Sequence, residues 1–282
     1  MKGKGGIFIV VLKVIRGLIP GNYLKTFVYL NLIAGTRKLL RNSIGTFYRM
    51  DHIYDVIKEF KRNYKGKFSI LEFGVADGYS FIKKLYAVRY LKMEDRITIH
   101  GFDTFEGLPD ITSSADHSLV EGDEWTKGHY LGKYDDLLNH CQEKYKNFQL
   151  HKGLFEETLT DEFLKTLVER PPMLIWIDCD YYSSTKAIFE RIIPYIPTGC
   201  VIYFDDIYFN FSSRFTGEMK AVWEINQGKF GEGIELVLDP ALSWDSNRVY
   251  RFINMNQEKK YELIAPLQKD PVRRRRDESP FP

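Results

Sequence analysis

From residue 51 onward, short apolar runs alternate with amphipathic stretches, and this rhythm limits the possible folds more than any other feature of the chain. The runs FSILEF (68–73), RITIHGF (96–102), NFQLHKG (147–153), MLIWID (173–178) and CVIYFDD (200–206) have the length and the β-branched or aromatic content of strands. Helical segments fall between and after them, near 79–92, 132–145, 160–168, 184–193 and 216–226. Ahead of the first strand, HIYDVIKEFKRNY sets Ile53, Val56, Ile57 and Phe60 on one helical face. Such alternation calls for a parallel sheet covered on both faces by helices and joined by right-handed crossovers. The last two runs, GIELVL (233–238) and RVYRFIN (248–254), lack a convincing helix between them and can pair antiparallel. The expected fold is α/β, with seven strands, mostly parallel, finishing in an antiparallel hairpin.

Three regions follow from pattern and charge. Residues 1–50 carry nine Lys or Arg and no Asp or Glu, and IFIVVLKVIRGLI (7–19) aligns Ile7, Val11, Val14, Ile15 and Leu18, so this part is expected to be a basic, apolar helical cap. Residues 51–256 form the α/β domain. Residues 257–282 are polar, contain RRRR at 273–276, and are expected to be a flexible tail. The apolar run IFIVVL is too short for a secretory core, and no run approaches the roughly 18 residues of a membrane span. Three cysteines without CxxC spacing form no disulfide or zinc framework and suit a reducing compartment, so a cytoplasmic location is expected. Residues 1–35 have two readings. They pack as a lid or homo-oligomer interface, which the number of apolar positions favours, or they make a peripheral contact with an anionic membrane surface. A net charge of only +2 with no base-reading motif argues against a nucleic-acid partner.

Ligands of open α/β sheets bind beyond the carboxyl ends of the strands, where strand order reverses. The first strand leads there into Glu72, then Gly74, Val75, Ala76, Asp77 and Gly78. Gly74 would let the turn bend, and Gly78 would let a ligand lie against the start of the next helix. This GxxxG is neither the GxGxxG of a dinucleotide turn nor a phosphate loop, which needs a lysine after the second glycine. A dinucleotide-binding Rossmann domain also keeps its last strands parallel, whereas five parallel strands closed by a hairpin is the plan of the Rossmann-like class I methyltransferase sheet. The second strand ends in Asp103, followed by Thr104 and Phe105, and an acid there can accept ribose hydroxyls. The third strand ends near Gly153 and Phe155, where an adenine would lie. Glycine turn, ribose acid and apolar shelf suit an adenosyl ligand, and the lack of phosphate-holding residues favours S-adenosylmethionine.

The fourth and fifth strands end in Asp178 and in Asp205–Asp206, 27 residues apart, which is one helix plus one strand. A right-handed crossover brings such ends side by side. Three converging carboxylates repel one another unless they are protonated or neutralised by a cation, and an all-oxygen donor set suits Mg²⁺, or another hard divalent ion such as Mn²⁺ or Ca²⁺. The competing reading makes these acids turn and helix caps.

The segments LEFGVADGYS, HGFDTFEGLP, GLFEET, IDCDYYSST and YFDDI occur in this order. Over roughly residues 45–255 the chain resembles the macrocin O-methyltransferases, metal-dependent enzymes that methylate sugar hydroxyls with S-adenosylmethionine. The resemblance implies a class I methyltransferase fold with extra N-terminal helices closing over the site, and assigns the metal to Asp178, Asp205 and Asp206, with Asp180 the nearest competitor. Asp178 is also expected to be catalytic. DEWTKGHY resembles a family loop element and favours His129 over His117 as a catalytic residue. His52, His100, His140 and His151 are assigned no chemistry. The expected function is O-methylation of a sugar or polyol hydroxyl in natural-product or polysaccharide (glycan) biosynthesis, with Mg²⁺ assisting deprotonation of a vicinal diol. The alternatives are a non-catalytic scaffold in a glycan-assembly complex and a nicotinamide oxidoreductase, which the missing central glycine and the terminal hairpin disfavour.

Overall fold

The computed structural model describes residues 50–120, 125–243, 248–256 and 260–264. The expected N-terminal cap and the RRRR run lie outside the described residues. The chain runs α1 (Met50–Asn63), β1 (Phe68–Phe73), α2 (Tyr79–Tyr90), β2 (Ile97–Asp103), α3 (Tyr134–Gln142), β3 (Phe148–Lys152), α4 (Phe155–Thr158), α5 (Asp161–Glu169), β4 (Pro172–Ile177), α6 (Tyr182–Ile192), β5 (Val201–Phe204), α7 (Gly217–Asn226), β6 (Ile234–Leu238) and β7 (Arg248–Asn254). The seven strands form one sheet in the order β3-β2-β1-β4-β5-β7-β6. β1 to β5 are parallel, and β7 joins β5 and β6 antiparallel. The hairpin closes the sheet as the missing helix between 238 and 248 predicted.

Period-two alternation sorts the sheet residues between two cores. Ile70, Leu174, Trp176, Val201 and Tyr203 pack on one face with Ile53, Val56, Ile57 and Phe60 of α1 and with Phe81 and Leu85 of α2. Leu71, Phe73, Ile175, Ile177, Ile202 and Phe204 pack on the other with Phe163 and Leu167 of α5, Ile188 and Phe189 of α6 and Ile225 of α7. Both faces are therefore covered, and β1, β4 and β5 are buried along their whole length. Each fully buried Ile, Val or Phe of α1 is worth about 1.5–3 kcal/mol of apolar transfer, so this helix is an integral layer of the domain.

Two expectations need correction. The strands stop short of the acids, β4 by starting and ending one residue earlier than its apolar run and β5 by being shorter, so Asp178 is one residue past β4, and Asp205 and Asp206 follow β5. The start of the supposed flexible tail is packed. Tyr261 inserts among Phe60, Tyr64 and Phe68, its hydroxyl donates to the Pro172 carbonyl, and Leu263 bridges Tyr64 antiparallel. Composition marked this stretch as polar, but one aromatic ring filling a gap beside α1 is enough to anchor it.

Candidate active site

Strand order reverses between β1, whose chain continues toward β2 and β3, and β4, which leads to β5. A cavity of about 680 Å³ opens there, at the carboxyl ends of the strands. Of the residues expected to hold the cofactor, Gly74, Val75, Ala76, Asp77, Asp103, Thr104, Gly153 and Phe155 line it; Glu72, Gly78 and Phe105 do not.

The two glycines are required by the protein itself. Gly74 has φ +88, and a β-carbon on it would fall 1.7 Å from the Asp178 carbonyl oxygen. It lets the end of β1 pass against the end of β4. Gly78 has φ +75, and its β-carbon would meet the Leu137 side chain of α3 at 2.3 Å. The space beside Gly78 is taken by α3. Glu72 lies outside the cavity lining. It is wholly buried beneath the turn, paired at 2.8 Å with Lys84 of α2, and accepts a hydrogen bond from the Ser80 hydroxyl. Burial raises its pKa against the opposing pull of Lys84, and burial lowers that of Lys84 against the pull of Glu72. Phe105 turns inward with φ +58 and packs edge-on against Tyr134.

Asp103 ties the turn to β2. Its Oδ2 accepts the amides of Val75 (2.7 Å) and Ala76 (2.8 Å), and its Oδ1 accepts that of Phe105 (2.6 Å). These bonds hold Ala76 at φ +45, a conformation uncommon for a residue with a side chain. A ribose hydroxyl would share a carboxylate already receiving three backbone N–H groups. The Phe155 ring stands edge-on to Phe73 beside Gly153, giving this end of the cavity an apolar wall.

At the other end, Asp178, Asp205 and Asp206 each offer an oxygen within 4.8 Å of the others. Two further acids surround them. Asp180, at φ +61, is buried, and burial followed by the Asp206 and Asp205 charges pushes its carboxyl well above the usual range. Glu218 of α7 accepts the Asp206 amide at 3.1 Å and is raised well above its usual range by burial and then by the same two carboxylates. Asp180 was visible in the DCD motif. Glu218 sits in TGEMK, where no local signal marks it.

The insertion 106–131 reaches the cavity as expected, through Leu108, Pro109, Asp110, Thr112 and Tyr130. Asn210 staples it to the segment after β5, accepting the Leu119 amide at 2.7 Å and donating to the His117 carbonyl at 3.1 Å. Asp116 caps α6 by accepting the Ser183 amide at 2.9 Å. His129 lies outside the cavity lining. Its ring is exposed and bonded to the Thr126 hydroxyl at 2.8 Å; the neighbouring Tyr130 does line the cavity. Ser183 and Ser184, at the start of α6 and within the IDCDYYSST segment, also line it.

Residues 71–207 match a family model described as a methyltransferase domain. This stretch carries a methyltransferase domain. Among solved structures, that of the calicheamicin methyltransferase CalS11 superposes with a TM-score of 0.60 at 22% identity, covering 89% of this chain and 93% of that one. The O-methyltransferase NovP gives 0.53 at 19% identity, covering 82% and 99%. The apo structure of CalS11, named there a TDP-rhamnose 3'-O-methyltransferase, gives 0.50 at 21% identity, covering 89% and 95%. At these identities the likeness establishes the fold, and the methyltransferase sheet, hairpin included, is that of the class I enzymes. No curated protein matches the sequence. No helix among the described residues of the methyltransferase is long and apolar enough to cross a membrane.

Proposed function

We propose that the protein is an S-adenosylmethionine-dependent O-methyltransferase acting on a hydroxyl of a sugar or polyol, with a hard divalent cation, Mg²⁺ first, held by Asp178, Asp205 and Asp206. The observation that carries this reading is the joining of two half-sites in one cavity: the Gly74–Asp77 turn with Asp103, Gly153 and Phe155 at one end, and three carboxylate oxygens within 4.8 Å of one another at the other. The sugar acceptor is suggested by the names of the similar structures and by the resemblance of DTFEGLP and DCDYYSST to the macrocin O-methyltransferases, which is the finer form of the proposal.

Both groups suit the residues present. The cavity volume is within the roughly 300–1,000 Å³ of small-molecule sites. The donor set at the far end is all oxygen, as Mg²⁺ prefers. When bound, S-adenosylmethionine supplies an electrophilic methyl group and the cation supplies Lewis acidity toward an acceptor hydroxyl. The chain does the rest. The turn amides fixed by Asp103 and the Phe155 wall orient the donor, while Tyr130, Leu108 and Pro109 cover the acceptor side. Asp178, at the junction of the two half-sites, receives the proton that leaves the acceptor hydroxyl. His129 is left without a part in this scheme.

The test combines calorimetry with S-adenosylhomocysteine and a mass screen for the gain of one methylene across glycans, with Mg²⁺ or with EDTA. Binding and cation-dependent methylation are expected. Full turnover in EDTA would remove the cation, and absence of S-adenosylhomocysteine binding would leave the scaffold role in a glycan-assembly complex.

A further inference from the structure

Two aromatic residues stand directly behind the carboxylate cluster. Trp176 and Tyr203 are register partners on β4 and β5, and their rings stack with centroids 3.7 Å apart and 18° between planes. Each is followed two residues later by a cluster acid, Asp178 and Asp205, and residues two apart along an extended chain project to the same side. The Trp176 indole N–H is directed at Asp178 Oδ2 (3.4 Å), and the Tyr203 hydroxyl donates to Asp205 Oδ1 at 2.8 Å. Both rings are buried, so their polar tips need a partner, and the partner each takes is the carboxylate. Behind the pair, Lys84 Nζ lies 4.0 Å over the Trp176 ring and is itself held by Glu72.

We propose that Trp176 and Tyr203 are positioning residues that hold Asp178 and Asp205 in the converged arrangement a cation requires. The proposal rests on the cation reading given above. Carboxylates gathered this closely repel one another, and each is only half-buried, so rotation toward solvent would relieve the repulsion. A donor fixed to each, carried on a stacked pair that the sheet cannot let slip, opposes that rotation. The cluster is thereby arranged before the cation arrives, and partners that orient metal ligands in this way typically alter affinity about 10- to 100-fold.

The test uses the full chain and Mn²⁺ alone as probe, read by electron paramagnetic resonance, with S-adenosylhomocysteine affinity and urea unfolding measured on the same samples. Tyr203→Phe keeps the ring and the stack and removes only the hydroxyl; Trp176→Phe keeps a stacked ring without the indole N–H. The expected result is Mn²⁺ affinity about 10- to 100-fold weaker in both variants, with the S-adenosylhomocysteine affinity and the unfolding midpoint of Tyr203→Phe unchanged. If the wild type binds Mn²⁺ and both variants bind it as tightly, the positioning role is overturned while the cation reading stands. If the wild type and Asp205→Asn both fail to bind Mn²⁺, the cation reading fails and the positioning role falls with it.

Discussion

Substituting Gly74 with alanine puts a methyl carbon 1.7 Å from the Asp178 carbonyl oxygen, where ordinary contact begins near 3.4 Å. The neighbour is backbone at the edge of two central strands, so relief requires moving the end of β1 or β4 by about 1.5 Å. The left-handed φ of +88 adds its own strain, about 1–2 kcal/mol for a residue with a side chain. Overpacking at a rigid site costs about 1–3 kcal/mol. Losing the bond from the Asp178 amide to the Phe73 carbonyl, 2.9 Å here, costs about 1 kcal/mol. Together these predict a loss of about 3–6 kcal/mol, a large share of the 5–15 kcal/mol typical of a folded domain. Gly66 separates the contributions: its φ is +90 but nothing lies within 4 Å of its would-be β-carbon, so Gly66→Ala should lose only the backbone strain. Urea unfolding of both variants, followed by far-ultraviolet circular dichroism, gives the comparison. Should Gly74→Ala lose no more stability than Gly66→Ala, the close approach of β1 to β4 is not what requires this glycine, and the reasoning is refuted.

Two further outcomes follow from buried charge. Lys84→Met leaves the Glu72 carboxylate uncompensated in the core and should cost about 3–5 kcal/mol, much of it recovered in the Glu72→Gln/Lys84→Met double variant; urea unfolding that finds the single variant no weaker than the double would count against the pairing. Burial, followed by the nearby His151 and Arg170, pushes the His100 pKa down to about 3, so the folded ring is neutral while the unfolded chain takes up a proton below about pH 6.5. Stability is therefore present above that pH and lost as pH falls toward the folded value, by about 2 kcal/mol at pH 5 for this group. Unfolding at pH 7 and pH 5 should show the slope in the wild type and a shallower one in His100→Leu; equal slopes would exclude His100 as its source.

Much of the architecture was legible because it is written locally. Buried parallel strands are continuous apolar runs, amphipathic helices repeat every three to four residues, and both signals fall inside windows short enough to read. Even the terminal hairpin could be seen, since the sequence between Ile234–Leu238 and Arg248–Asn254 carries no convincing helical pattern. The three clustered aspartates were legible for a related reason: strand, crossover and strand have a known geometric outcome, so residues at successive strand ends meet. What residue type did not reveal was surroundings: Leu137 fills the space beside Gly78, Glu72 is buried in an ion pair, and the exposed His129 ring bonds the Thr126 hydroxyl.

The amino-acid pattern by itself determined the elements, their order, the parallel sheet with its closing hairpin, and which strand ends would carry glycines and acids. Only the tertiary structure decided that Gly74 answers to Asp178, that Asp103 is bound up with three backbone amides, and that Trp176 and Tyr203 stand behind the acids they bond. The physical reason is range. Propensity and periodicity act over a few neighbours, while these partners are brought together by packing across strands, where contacts of a few ångströms decide which side chain is exposed to a ligand and which is spent on the fold.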